Sequence, residues 1–351
     1  MRQVLRPRVA LLFVSFGITT VACNPFADDS ELDPMSLEPV SGEGVVSIER
    51  DGEIFRATEG ATIEPGDRIE ASRSPALIRL AGGRRITLAA ESSVLISGDD
   101  SLKDPSGSLL AETTEPLSAT FDDDVKARSD SGLFRFDILE GSWTAATYRG
   151  VVRVKEPGDA AVRVPSLYQA SVAAGEVSPA VPHFVSDNDP WDELYLDEVI
   201  ELNQRLERFS DAISAEFENG TLGLDYFRQL IPDTDVSFMR GYAARDASDL
   251  LIAFTIAEQD PERPLAEAFR MAFELHNSAD QWGVVAGIMN VDPGALVAGL
   301  QGLVDTTDLM DRGISATERG PKAPGEQTGD VTQGPCTTIV DCILQSSGGI
   351  H

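Results

Sequence analysis

The stretch 61–88, "ATIEPGDRIEASRSPALIRLAGGRRITL", holds residue types that can grip phosphate: Gly66, the pair Gly82-Gly83, and adjacent Arg84 and Arg85. A phosphate loop needs its glycines at a strand-to-helix junction, so that helix N–H groups face the anion. These glycines lie between strand-like runs, and nothing after them has helical period. Side chains alternate across a strand, so Arg84 and Arg85 cannot form one clamp. The glycines read as hairpin corners.

Other reactive types are sparse. His183, His276 and His351 are far apart in sequence, with no histidine pair or nearby cysteine at zinc-ligand spacing. Asp122, Asp123 and Asp124 form an acidic run, and "DNDPWDE" contributes Asp187, Asp189 and Asp192. Neither carries the glycine of a calcium loop, so both read as solvated acid. No Gly-x-Ser-x-Gly elbow and no Walker-type loop occurs. The expectation is a chain with no catalytic, cofactor or metal residues.

The bulk charge narrows the partners. Of 351 residues, 28 are Lys or Arg and 58 are Asp or Glu, a formal net charge of -30. Such a surface repels nucleic acid and anionic lipid headgroups. Three arginines in "MRQVLRPR" precede an apolar run, "VALLFVSFGITTVA", and then Cys23. A basic start, a short apolar run and small residues before a break describe an export signal. The run is roughly 14 residues, against the ~20 of a spanning helix. "TVAC" resembles the lipobox of bacterial lipoproteins, which implies that residues 1–23 are a signal and that Cys23 carries lipid. In an oxidising compartment the remaining cysteines, Cys336 and Cys342, are candidates for a disulfide. An exported, lipid-anchored, extracytoplasmic protein is expected.

Beyond the signal, residues 24–41 read as an acidic, proline-rich tether. Residues 42–181 are dense in strand signals. "VVSIER" and "EIFRA" flank Asp51-Gly52, a two-residue turn in which both positions tolerate positive φ. "ALIRL" and "RRITL" flank "AGG". In "LFRFDIL", Phe134, Phe136 and Ile138 share a face opposite Arg135 and Asp137, the alternation of a half-buried strand. Many short strands with frequent turns predict an all-β domain.

This region resembles the FecR-like domain of bacterial envelope proteins. The resemblance rests on "GVVSIERDGE", "EGATIEPGDRIEAS" and "PALIRLAGGRRITLAAESSVLI", which cover residues 44–96. It continues more loosely through "VKARSDSGLFRFDI" and "YRGVVRVKEPG" to "YQASVAAGEV". It implies a β-roll or solenoid-like domain. The motif marks turns, so it assigns no functional residue. Sigma-factor regulators of this family carry a cytoplasmic domain before their membrane segment. Here only Met1–Arg8 precede the apolar run, so any message to the cytoplasm must pass through a membrane-spanning partner. "DNDPWDELYLDEVIELNQRLE" also resembles the region that follows this domain in exported actinobacterial proteins.

The composition turns helical from Asp187. Residues 189–311 are expected to form an α+β module. Asp189 and Pro190 start a long amphipathic helix whose stripe runs through Trp191, Leu194, Val199, Leu202, Leu206, Phe209, Ile213 and Phe217. "DLLIAFTIAE" reads as a buried strand. In "EAFRMAFELHN" the alternation of Phe269, Met271, Phe273 and Leu275 favours a strand over the helix that Leu265, Phe269, Ala272 and Phe273 would suit. "WGVVAGIMN" then completes a hairpin. Asp292 and Pro293 start a final helix. Residues 312–351 read as a disordered tail that carries the cysteine pair.

The fold class is thus mixed: an all-β FecR-like domain followed by an α+β module. The functional expectation is a non-enzymatic envelope protein that binds an envelope or membrane-spanning partner. The rival is an envelope hydrolase using carboxylates in a cleft between the domains. Changing Cys23→Ala should leave an unprocessed precursor or release the protein from membranes. A variant that fractionates and migrates like the parent would exclude lipidation there.

Overall fold

The computed structural model describes residues 35–37, 46–121, 124–216, 227–228, 235–242 and 245–306. Cys23, Cys336, Cys342 and His351 lie outside the described residues, as do Asp122, Asp123 and Phe217.

Among the described residues fifteen strands form one open sheet, and helices follow toward the C-terminal end of the chain. The Asp51-Gly52 turn is present, with φ of 53° and 81°, and joins β2 (Val46–Arg50) to β3 (Glu53–Arg56). These signs of φ match the right-handed twist of the two strands it connects. The "AGG" corner joins β5 (Ala76–Arg79) to β6 (Arg85–Leu88), with Ala76 opposite Leu88 and Ile78 opposite Ile86. β4 (Arg68–Ala71) lies between β2 and β7 (Ser92–Gly98).

Three long strands organise the rest: β8 (Ser101–Thr113), β10 (Lys126–Leu139) and β11 (Ser142–Lys155). β10 pairs first with β9 (Leu117–Thr120) and then, past a register shift after Ser129, with β8. Each long strand therefore serves two parts of the sheet. Ile48, Ile69, Ile78, Ile86, Val94, Phe134, Phe136 and Val152 come together in its main core. In the long strands alternation has the meaning read from the sequence: Phe134 and Phe136 of β10 lie on the buried, apolar side.

The tether reading fails at its end. Ser36 and Leu37 form β1, which pairs with β5, and both Met35 and Leu37 are buried in the main core. Two apolar side chains in a polar stretch were enough to be drawn into the sheet.

The C-terminal module contains helices and no strands among the described residues. The expected long helix is two: α1 (Pro190–Tyr195) and α2 (Asp197–Glu216). The chain breaks at Leu196, whose φ is -129°. "DLLIAFTIAE" lies in α3 (Ala247–Glu258), "EAFRMAFELHN" in α4 (Leu265–Ala279), and "WGVVAGI" forms α5 (Trp282–Ile288). All three had been expected as strands. α3 is buried on every face, from Ala247 to Ala257, so its apolar residues show no period. A central helix and a buried strand look alike under that condition. In α4 the buried positions are Ala268, Phe269, Ala272, Phe273 and Ala279, a helical spacing; the alternation through Met271 and Leu275 is coincidental. The final helix, α6 (Pro293–Thr306), begins as expected, with Asp292 accepting from the N–H of Ala295 at 2.6 Å. Among the described residues no helix is long and apolar enough to cross a membrane.

Sheet and helices share a cluster of their own. Leu110, Leu133, Tyr148 and Leu167 from the β region pack with Val185, Trp191, Leu196, Ala279 and Val284. Removing everything after residue 181 would uncover that sheet face. The expected outcome is a fragment that keeps its strand circular dichroism and unfolds cooperatively at a lower temperature than the full chain. Each 1 kcal/mol lost lowers the midpoint by roughly 2–4 °C for domains of this size. Loss of cooperative unfolding would refute independent folding of the β region, to which Met35 and Leu37 also belong.

Candidate functional site

Two places concentrate unusual chemistry: the junction between sheet and helices, and the open edge of the sheet.

At the junction, Asp189 caps α1, its Oδ1 accepting from the N–H groups of Trp191 and Asp192 at 2.9 and 3.2 Å. Its Oδ2 is 2.6 Å from Nη1 of Arg135 on β10. Arg135 also donates through Nε to Asp137 at 2.8 Å, and its guanidinium lies 4.9 Å from the Trp191 ring centre. Burial works against the charge on Arg135, but Asp137, Tyr148 and Asp189 outweigh it and raise the pKa above the usual value.

One turn on, Asp192 is 2% exposed and still accepts from three partners. The Tyr148 hydroxyl from β11 donates at 2.7 Å, His183 Nε2 at 3.1 Å and the Ser186 N–H at 2.9 Å. His183 Nδ1 in turn meets the Gln169 amide oxygen at 2.8 Å. Burial pushes the Asp192 carboxyl up, yet His183, the Ser186 amide and Tyr148 together hold it below its ordinary 3.8. Burial, followed by the charge on Asp192, raises the Tyr148 phenol, so it stays a donor.

The two acids of "DNDPWDE" that reach this junction are thus engaged in holding it. The third, Asp187, is exposed and accepts from the Asn188 side chain at 3.0 Å. His276 stacks on Trp282 with ring centres 3.9 Å apart, far from His183 in role. Arg135 and Tyr148 escaped the sequence reading. Arg135 alternates with the phenylalanines of β10 and so lies on the opposite face, where Asp189 and Trp191 of the helical module cover it.

Gly82-Gly83 turn the β5–β6 hairpin as expected, whereas Gly66 lies in the connection between β3 and β4, which do not pair with each other, and donates to the Ile96 carbonyl at 2.7 Å. Arg84 is buried and donates to the carbonyls of Ala81 and Pro116, the latter at 2.7 Å, while Arg85 is exposed. Asp67, after Gly66, is 1% exposed and accepts twice from Arg50 at 2.7 Å and once from the Glu64 N–H at 2.8 Å. This pins the β2–β3 hairpin against the loop that follows it.

That hairpin forms the open edge. Among the described residues β3 ends the strand order and pairs with β2 alone. All four of its residues are exposed, including Ile54 at 73% and Phe55 at 41%. The Ala57 N–H turns inward to Val46 at 2.8 Å, so the amides of Ile54 and Arg56 face outward. Arg50 lies 5.8 Å from the Phe55 ring centre. β3 has no lysine, proline or bulge; its protection is its length of four residues and the charges of Glu53 and Arg56 at its ends, which leave Ile54 and Phe55 between them.

No protein-family model and no curated protein matches the chain. Two crystal structures of a "putative anti-sigma factor" from Parabacteroides distasonis share 14% and 15% identity with it, with TM-scores of 0.30 and 0.29. In both cases 33% of this chain is covered, along with 59% of the matched chain.

Asp192→Ala takes the acceptor away from three donors, Tyr148, His183 and the Ser186 N–H, and a buried donor left unsatisfied costs about 1–3 kcal/mol. The unfolding free energy should therefore fall by at least about 1–3 kcal/mol. The pH dependence follows from the lowered pKa. The stabilisation is complete above the unfolded value near 3.8 and is lost as pH falls through the lower native value. Asp192→Asn should flatten this acid limb. Equal stability and an unchanged acid limb in both variants would show that the junction carries no weight.

Proposed function

We propose that the chain is a non-enzymatic cell-envelope protein whose FecR-like domain regulates by binding a partner outside the cytoplasm. The observation that carries this reading is the unpaired edge of β3, with Ile54 and Phe55 exposed beside outward-facing amides. An extended segment can add a strand to such an edge, gaining backbone hydrogen bonds from the amides and affinity from the two apolar side chains. A second copy is the poorer occupant, because each brings a formal charge of -30. A neutral or basic segment of a membrane-spanning protein suits the edge better. The resemblance over residues 44–96 supports the family reading, since hairpin turns occur at Gly52 and at Gly82-Gly83. Anchoring through Cys23 would keep the domain at the membrane while its acidic surface stands off anionic lipid.

Ile54→Pro removes one outward amide, and proline is tolerated on an edge strand when its N–H faces solvent. Crosslinking in intact cells should capture a membrane-spanning protein with the parent chain, and at least tenfold less with Ile54→Pro. Recovery of only soluble envelope proteins or cell-wall polymer would overturn the reading. So would capture that the proline leaves unchanged.

A further inference from the structure

A second surface feature is independent of the edge. Where residues 184–188 leave the last strand and cross α2 and α5, they enclose a cleft of about 290 Å³. That is the lower end of the range for small-molecule sites. Its walls are fixed by close packing. A Cβ at Gly283 would lie 2.5 Å from the Val199 carbonyl oxygen, so α2 and α5 meet backbone to backbone. The Gln281 side chain bonds both the N–H and the C=O of Val185, at 2.9 and 2.7 Å. Asn203 accepts from the Gly283 N–H at 3.2 Å and donates to Glu207 at 2.7 Å.

These bonds orient the amides without exhausting them. Asn203 keeps a second N–H, Glu207 a second oxygen, and the exposed Gln204 amide its full capacity. Val199, Ile200 and Val284 supply an apolar floor, and Phe184 stands at the rim, 61% exposed. The lining contains no Lys, Arg or His, and it contains Asp187 and Glu207. An anionic ligand is therefore repelled, and a purely apolar one would strand the amides without partners. A compact ligand with an apolar face and a rim of hydroxyls satisfies both halves of the lining.

We propose that this cleft binds one unit of a neutral saccharide. The sugar lays its C–H face on Phe184, and neighbouring hydroxyls exchange hydrogen bonds with Gln204, Asn203 and Glu207. Affinity for so few atoms is on the order of 1 mM. Saturation-transfer NMR on the full chain, with maltose, cellobiose and mannobiose as probes and glucuronic acid as the anionic control, tests this. At least one neutral disaccharide should show saturable transfer, and glucuronic acid should show none. Phe184→Ala and Gln204→Ala should each weaken the binding at least tenfold. Both side chains are exposed, so the variants should keep the parent's unfolding temperature, which is measured alongside. No saturable transfer from any neutral probe would overturn the proposal. Equal binding of glucuronic acid, or variants that bind as the parent does, would also overturn it.

Discussion

The buried carboxylate of Asp192 is the constraint on which the arrangement of sheet and helices depends. A carboxylate removed from water must be fully hydrogen-bonded or it destabilises the fold. Its three donors come from three parts of the chain: Tyr148 on β11, His183 in the connection after the sheet, and the backbone of Ser186. All three must be in place together. The requirement fixes where the chain leaves the sheet and how α1 begins. Arg135 and Asp189 add a second tie one turn away. The path of residues 184–188, and with it the cleft beneath Phe184, follows from these two ties.

The same principle operates inside the sheet on a smaller scale. Asp67 and Arg84 are charged groups held at corners, each satisfied by carbonyls, amides or an opposite charge. They stabilise particular turns rather than present a charge to a ligand. That explains why a glycine- and arginine-rich stretch carries no phosphate-binding geometry. The sheet's exposed chemistry lies elsewhere, at the β3 edge, where backbone groups have no partner in the sheet.

In the helical module the helix starts set by capping are legible in the sequence, and the type of the three segments between them is not. Asp189-Pro190 and Asp292-Pro293 begin helices because an aspartate can accept from free N–H groups and a proline has none to lose. α3, α4 and α5 differ from the strands expected there because their signal depended on surroundings. A helix enclosed on all sides has no polar face to reveal its period, and two extra apolar residues on a helix can mimic strand alternation.

Local chemistry determined the β hairpins, the Asp51-Gly52 turn, the apolar faces of the long strands and the two helix starts, because each depends on residues within a few positions. The junction needed the tertiary structure. Arg135, Tyr148, His183 and Asp192 are spread over 58 positions of sequence, and each alone has the look of an ordinary surface residue. Their pairing was decided only when the helices covered the second face of the sheet, since burial is what turns separate polar side chains into one network. The cleft is a consequence of the same docking, as its walls come from segments with no shared sequence signal.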